Sequence, residues 1–140
     1  AIAPGSGDPP DMSLQDPSSQ RSLSEAGRHQ AKRIGDQLRE HGVPSAQVYS
    51  SQWWRCRETA QLLGFGEPVP HPGLNSFWDR KDTREQVLSD FAELVQEIPQ
   101  DGEPVIFVSH YITIHAVTGR RLSSGEGFWM PLTALNANSE

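Results

Sequence analysis

The run Pro104-Val105-Ile106-Phe107-Val108 constrains this chain most. A strand made only of apolar residues has no face to offer to water. It reads as a strand buried on both sides, the position that a parallel sheet covered by helices provides. Ser109-His110 follows directly, at the carboxyl end of that strand. A second short strand is expected over Ala46–Ser50, and it delivers Ser51, Arg55 and Arg57 in the same way. In open α/β sheets, ligands sit beyond the carboxyl ends of the strands. Helix N-termini at those ends favour anions through free N–H groups and the helix dipole. Arg55 and His110 are therefore the first candidates for a site.

The rest of the chain supplies the helices such a sheet needs. Ser22-Leu23-Ser24-Glu25 reads as a capping box with Ser22 as N-cap and Glu25 at N3. It predicts a helix over 23–41, with Ala31, Ile34 and Leu38 at helical spacing and a stop at Gly42 and Pro44. A second helix is expected from near Trp53 to Gly64. Val87, Leu88, Phe91, Leu94, Val95 and Ile98 trace one apolar stripe, which predicts a helix over 84–98. A short helix follows His110 as far as Gly119, and 127–130 reads as a last, edge strand. Residues 1–21 are rich in Pro, Gly, Ser and Asp and read as a loop. Within it Gly5-Ser6-Gly7-Asp8 reads as a surface turn rather than a phosphate cradle, because no apolar strand precedes it. Residues 64–84 form a long connection. The expected architecture is a three-layer α/β/α sandwich with a mostly parallel sheet, in a single domain: loop 1–21, core 22–135 and tail 136–140.

Composition narrows the function classes. A net charge of −6 argues against a broad nucleic-acid surface. No run approaches the roughly 20 apolar residues that span a bilayer, so no membrane partner is expected. The single cysteine, Cys56, rules out an internal disulfide and a Cys-rich zinc site. Beside Arg55 and Arg57 its thiol could be acidified, but it reads more readily as a buried helix cysteine. His110 and His115 are badly spaced for a shared metal, and neither metal nor cofactor is expected. Trp53, Trp54, Phe77, Trp78 and Trp129 are candidates for the wall of a binding mouth. Ala1–Pro10 lacks the basic start and apolar core of a secretory leader, and a lone cysteine suits a reducing compartment, so a cytoplasmic location is expected.

Three segments carry a resemblance. Leu23-Ser24-Glu25-Ala26-Gly27-Arg28 with Gln30-Ala31, then Val48-Tyr49-Ser50-Ser51 with Arg55, Thr59 and Ala60, then Val105–Val108 closing on Ser109-His110, occur in order. Together they resemble the histidine phosphatase superfamily, the phosphoglycerate-mutase-like proteins, and Asn75-Ser76-Phe77 with Ser124-Gly125-Glu126-Gly127 resemble its small bacterial branch. That family transfers phosphoryl groups through a phosphohistidine. The resemblance puts the family's second phosphate-binding arginine at Arg55 and its second histidine at His110, and it implies a small phosphorylated substrate or phosphate as ligand.

The nucleophilic histidine of the family lies in an Arg-His-Gly or Arg-His-Ala motif after the first strand, and no residue here matches it. Ala1-Ile2-Ala3-Pro4 resembles the stretch that begins at the third residue of that motif. On that alignment the nucleophile, its arginine and the first strand precede Ala1, and the chain is a truncated and weak phosphatase. His29, His41, His71 and His115 do not match the nucleophile. A homodimer covering the missing strand is a possible partner arrangement. The leaving-group acid stays open between Asp79, Asp82 and Glu85, since Tyr111 stands where some relatives carry an Asp after the second histidine. The other reading of the same residues is a non-catalytic phosphate-binding module, or a relic scaffold doing different hydrolytic chemistry with His110 and Arg55.

Overall fold

The computed structural model describes residues 1–5 and 7–138, with side chains up to Leu135. Three strands, β1 (Gln47–Ser50), β2 (Val69–Pro70) and β3 (Val105–Val108), form one parallel sheet in the order β2-β1-β3. Tyr49 lies opposite Phe107 and Ser50 opposite Val108. The strands therefore end level with one another, and Ser51 and Ser109 leave the sheet side by side. β2 falls within the long connection, where the sequence pattern announces no strand. It is two exposed residues on the sheet's border, where a proline costs no ladder hydrogen bond.

The period of two sorts the side chains by face. Tyr49, Val105 and Phe107 pack against a cluster of Leu74, Phe91, Leu94, Val95, Ile98 and Leu135. Four of those six residues belong to α3 (Arg84–Glu97) or to its C-cap, Ile98. Phe91 meets Phe107 edge-on at 5.4 Å, which is the favoured aromatic geometry. The opposite face carries α2 (Trp54–Leu62), in contact with β1 and β3, and α1 (Glu25–Glu40) packs on α2. Helices thus flank the sheet, and the fold is α/β.

Several expectations shift in detail. Ser24, not Ser22, caps α1: its Oγ accepts from the Gly27 N–H at 3.0 Å. A cap needs a side-chain oxygen within reach of a free N–H of the first turn, and the glutamate of the box is optional. Gly27 also has no room for a side chain, because the Ile2 carbonyl lies where its Cβ would be. The run 127–130 is not a strand. No strand among the described residues lies beside it, and it serves as an extended lead into α5 (Leu132–Asn138), a helix that the sequence pattern does not announce. Met130 and Leu132 spend their apolar surface on the α3 cluster instead of on a sheet. α5 also runs into the stretch read as tail; residues 139–140 lie outside the described ones.

β3 departs from full burial. Each of its four residues is half-buried, because β1 pairs with one edge only and no described strand pairs with the other. An open cavity of about 1070 Å³ runs along that side, walled by Ile34, Leu38 and β3, and continues to the strand's carboxyl end.

Candidate functional site

His110 follows β3 as the N-cap residue of α4 (Tyr111–Thr118). Arg55 lies in the first turn of α2, just beyond the end of β1. The level strand ends bring them together: Arg55 Nη2 is 3.4 Å from His110 Nδ1. His110 is 8% exposed and the Arg55 side chain 11%. Both lie on the wall of the open cavity.

The contacts assign the proton on His110. A guanidinium only donates, so Nδ1 accepts and the ring N–H sits on Nε2. Nε2 then donates to Ser51 Oγ at 2.7 Å. Ser51 Oγ also accepts from the Trp53 N–H at 3.1 Å and donates to Asn75 Oδ1 at 3.3 Å. Asn75 is held in turn by the Gln52 N–H and the Gln52 side chain. Trp53 stands edge-on to the imidazole, with centroids 5.2 Å apart. Burial, and then the Arg55 charge, push the His110 pKa down to about 3. The ring is neutral at neutral pH.

Cys56 Sγ sits 3.6 Å from His110 Nε2. Burial raises its pKa to about 11 despite the Arg55 charge, so it is a packed thiol and not a nucleophile.

Asp8 is the site residue that the sequence reading missed. Its side chain is 4% exposed and accepts from Arg55 Nη1 at 3.0 and 3.2 Å, and from Trp53 Nε1 at 3.0 Å. The Arg21 N–H adds a bond of 3.0 Å. Burial alone would raise its pKa, but the Arg21 N–H, the Arg55 charge and the side-chain donors outweigh it and hold the carboxyl below its usual range. Asp8, read from the sequence as part of a surface turn, is thus part of the candidate site. The only signal available was indirect: a largely buried guanidinium demands a carboxylate partner, and nothing in the spacing says which.

The remaining candidates separate. Asp79 borders the same cavity and accepts the Asp8 N–H on Oδ2 at 3.0 Å. Asp82 is exposed beside Arg80, and Glu85 is exposed on α3. Trp78, Tyr111 and Trp129 are exposed on the cavity wall. Phe77 is buried, and Trp54 faces a separate groove with Leu14, Pro17 and Pro70, with Arg57 stacked over its ring. Those two, and Trp53, do not line the mouth. His29 and His41 are exposed on or beside α1, His71 caps a short turn by accepting the Gly73 N–H, and His115 stacks on Tyr111. Among the described residues, no group of three His, Cys, Asp or Glu side chains is arranged to hold a metal ion. No helix among them is long and apolar enough to cross a membrane.

In chemical terms the site offers one fixed cation, one neutral imidazole able to become a donor, and the positive ends of α2 and α4. That combination suits a phosphoryl or similar tetrahedral anion.

Comparison with known proteins bears on the family resemblance and the fold. The model of the histidine phosphatase superfamily (branch 1) matches residues 13–77. Among solved structures, a proposed phosphohistidine phosphatase SixA from Nakamurella multipartitia matches at 26% identity and a TM-score of 0.53, over 69% of this chain and 51% of that one. The chain spans about half the length of that relative. TTHB049 from Thermus thermophilus matches at 21% identity and a TM-score of 0.48, over 69% of this chain and 68% of that one. No curated protein matches. Residues 13–77 are thus similar in sequence to the histidine phosphatase superfamily, and the fold is similar to that of the Nakamurella structure.

Proposed function

We propose that these residues form the phosphate clamp of a phosphomonoester hydrolase. The observation that carries the proposal is the convergence of Arg55 and His110, 3.4 Å apart, at the carboxyl ends of two parallel strands. The ligand is a small phosphorylated substrate or phosphate itself. The name of the Nakamurella relative supports a phosphatase class.

Arg55 neutralises charge on the non-bridging oxygens, where phosphoryl transfer concentrates it. His110 takes a proton on Nδ1 as the anion approaches, because a dianion favours the imidazolium that the neighbouring guanidinium disfavours. It then donates that Nδ1–H to a phosphoryl oxygen, while Nε2–H stays on Ser51. None of the 140 residues matches the Arg-His-Gly or Arg-His-Ala motif that carries the nucleophile. This stretch alone supplies the clamp without the nucleophile, and we expect weak turnover of aryl phosphates from it.

Vanadate titration by calorimetry tests the clamp. Arg55→Ala removes charge-assisted bonds worth about 1.5–3 kcal/mol, so affinity should fall roughly 10- to 100-fold. Unchanged affinity would take Arg55 out of the site.

A further inference from the structure

We infer that Asp8 is a positioning residue: its carboxylate fixes Arg55 for the anion, and a loop wound around Arg21 delivers it there. This rests on the reading of Arg55 as a phosphate clamp.

Residues 3–5, 7 and 8 are held by groups outside that stretch. The Arg21 guanidinium donates to the carbonyls of Ala3 and Gly5 through Nη1 and to that of Gly7 through Nε. The Arg21 backbone N–H reaches Asp8 Oδ1. On the other side, Asp79 accepts the Asp8 N–H and lies 3.1 Å from where a Gly7 Cβ would stand, and Gly7 has φ +65°. A side chain at position 7 would meet both a strained backbone and that carboxylate. The Arg21 cation on one side and the Asp79 carboxylate on the other hold Gly7 and Asp8 in place, and Asp8 reaches Arg55.

There Asp8 acts as an acceptor. Its two oxygens receive Arg55 Nη1, Trp53 Nε1 and the Arg21 N–H, and its carboxyl stays ionised. It occupies the Nη1 end of the guanidinium and leaves Nη2 on the His110 side. An arginine otherwise has many rotamers to lose when it binds, so a guanidinium already fixed binds an anion more tightly.

The charge of Asp8 makes the inference testable. A carboxylate beside an anion repels it, so if Asp8 acted only through its charge, Asp8→Asn would tighten vanadate binding. Positioning predicts the opposite. We expect Asp8→Asn to weaken vanadate binding about tenfold by calorimetry. The double variant with Arg55→Ala should bind no more weakly than Arg55→Ala alone, because Asp8 acts through Arg55. Asp8→Glu keeps the charge one methylene further out, preserves the fold and should also weaken binding. Tighter or unchanged binding in Asp8→Asn, or losses that add in the double variant, overturns the inference.

A second readout needs no ligand. In nitrogen-15 spectra the Arg55 Nη protons should exchange slowly in the parent chain and rapidly in Asp8→Asn. If vanadate fails to bind the parent chain, the phosphate-clamp reading fails, and this exchange decides the Asp8–Arg55 contact separately. Equal exchange in the two proteins removes it.

Discussion

The α3 side of the sheet and the 1–21 loop are both ordered, by different physics. Phe91, Leu94 and Val95 are held by apolar area alone, on a stripe whose spacing is helical. Each such side chain contributes about 1.5–3 kcal/mol as an upper bound, and many partners share in it. The loop buries little apolar surface. A few directed bonds to Arg21, Arg55 and Asp79 hold it. The first kind of order is redundant and insensitive to pH. The second depends on single groups, and those groups belong to the site.

The largest break should come on the α3 side. Phe91→Ala opens a hole against Phe107 and should cost roughly 3–5 kcal/mol in denaturant unfolding. Well below its melting temperature, the variant should still bind vanadate as the parent does.

The second effect separates the regions by pH. The folded pKa of His110, about 3, lies below the ordinary 6.5. Between those values the unfolded chain holds a proton that the folded chain refuses. The stability that His110 contributes is complete above pH 6.5 and is lost as pH falls toward 3. The slope approaches about 1.4 kcal/mol per pH unit, or roughly 2 kcal/mol between pH 6.5 and 5. Asp8 has a depressed pKa too, but its contribution is lost only below about pH 4, the ordinary carboxylate range. Unfolding curves at about pH 7 and pH 5 check this, with His110→Gln expected to flatten the difference.

Arg21→Ala should free the loop with little damage to the α3 side. A global loss of about 1 kcal/mol is expected, with much faster protease cleavage within residues 3–20. A loss as large as that of Phe91→Ala would mean the two regions unfold as one.

The smallest effect concerns the start of α1. Ser24→Ala should cost about 1 kcal/mol and Ser22→Ala close to nothing, by thermal unfolding. Equal costs would restore Ser22 to the cap.

The same division explains what could be read in the sequence. The α3 helix is legible because six apolar residues repeat its period. Arg55 and His110 are legible because β1 and β3 announce where their carboxyl ends lie. The cap of α1 is ambiguous because Ser22 and Ser24 both suit the role, and only a bond to Gly27 decides. α5 is hard to see because, among its described side chains, Leu132 and Leu135 join a core that other elements complete. Asp8 is hidden for a stronger reason. Its partners Arg21, Trp53 and Arg55 lie 13, 45 and 47 residues away. Local composition says loop, and it is one; what joins it to the candidate site is long-range electrostatics that no periodicity records.

The place of Trp53 gives the site a built-in optical reporter. Its indole stands edge-on to the imidazole that, on the proposed reading, gains a proton when an anion binds, and its N–H rests on the Asp8 carboxylate. A protonated imidazole quenches indole emission, and losing a buried hydrogen-bond acceptor shifts it. Trp54, Trp78 and Trp129 are exposed and emit as solvated indoles. The half-buried Trp53 therefore reports two separate events in two ways: intensity follows the proton on His110, and colour follows the loop.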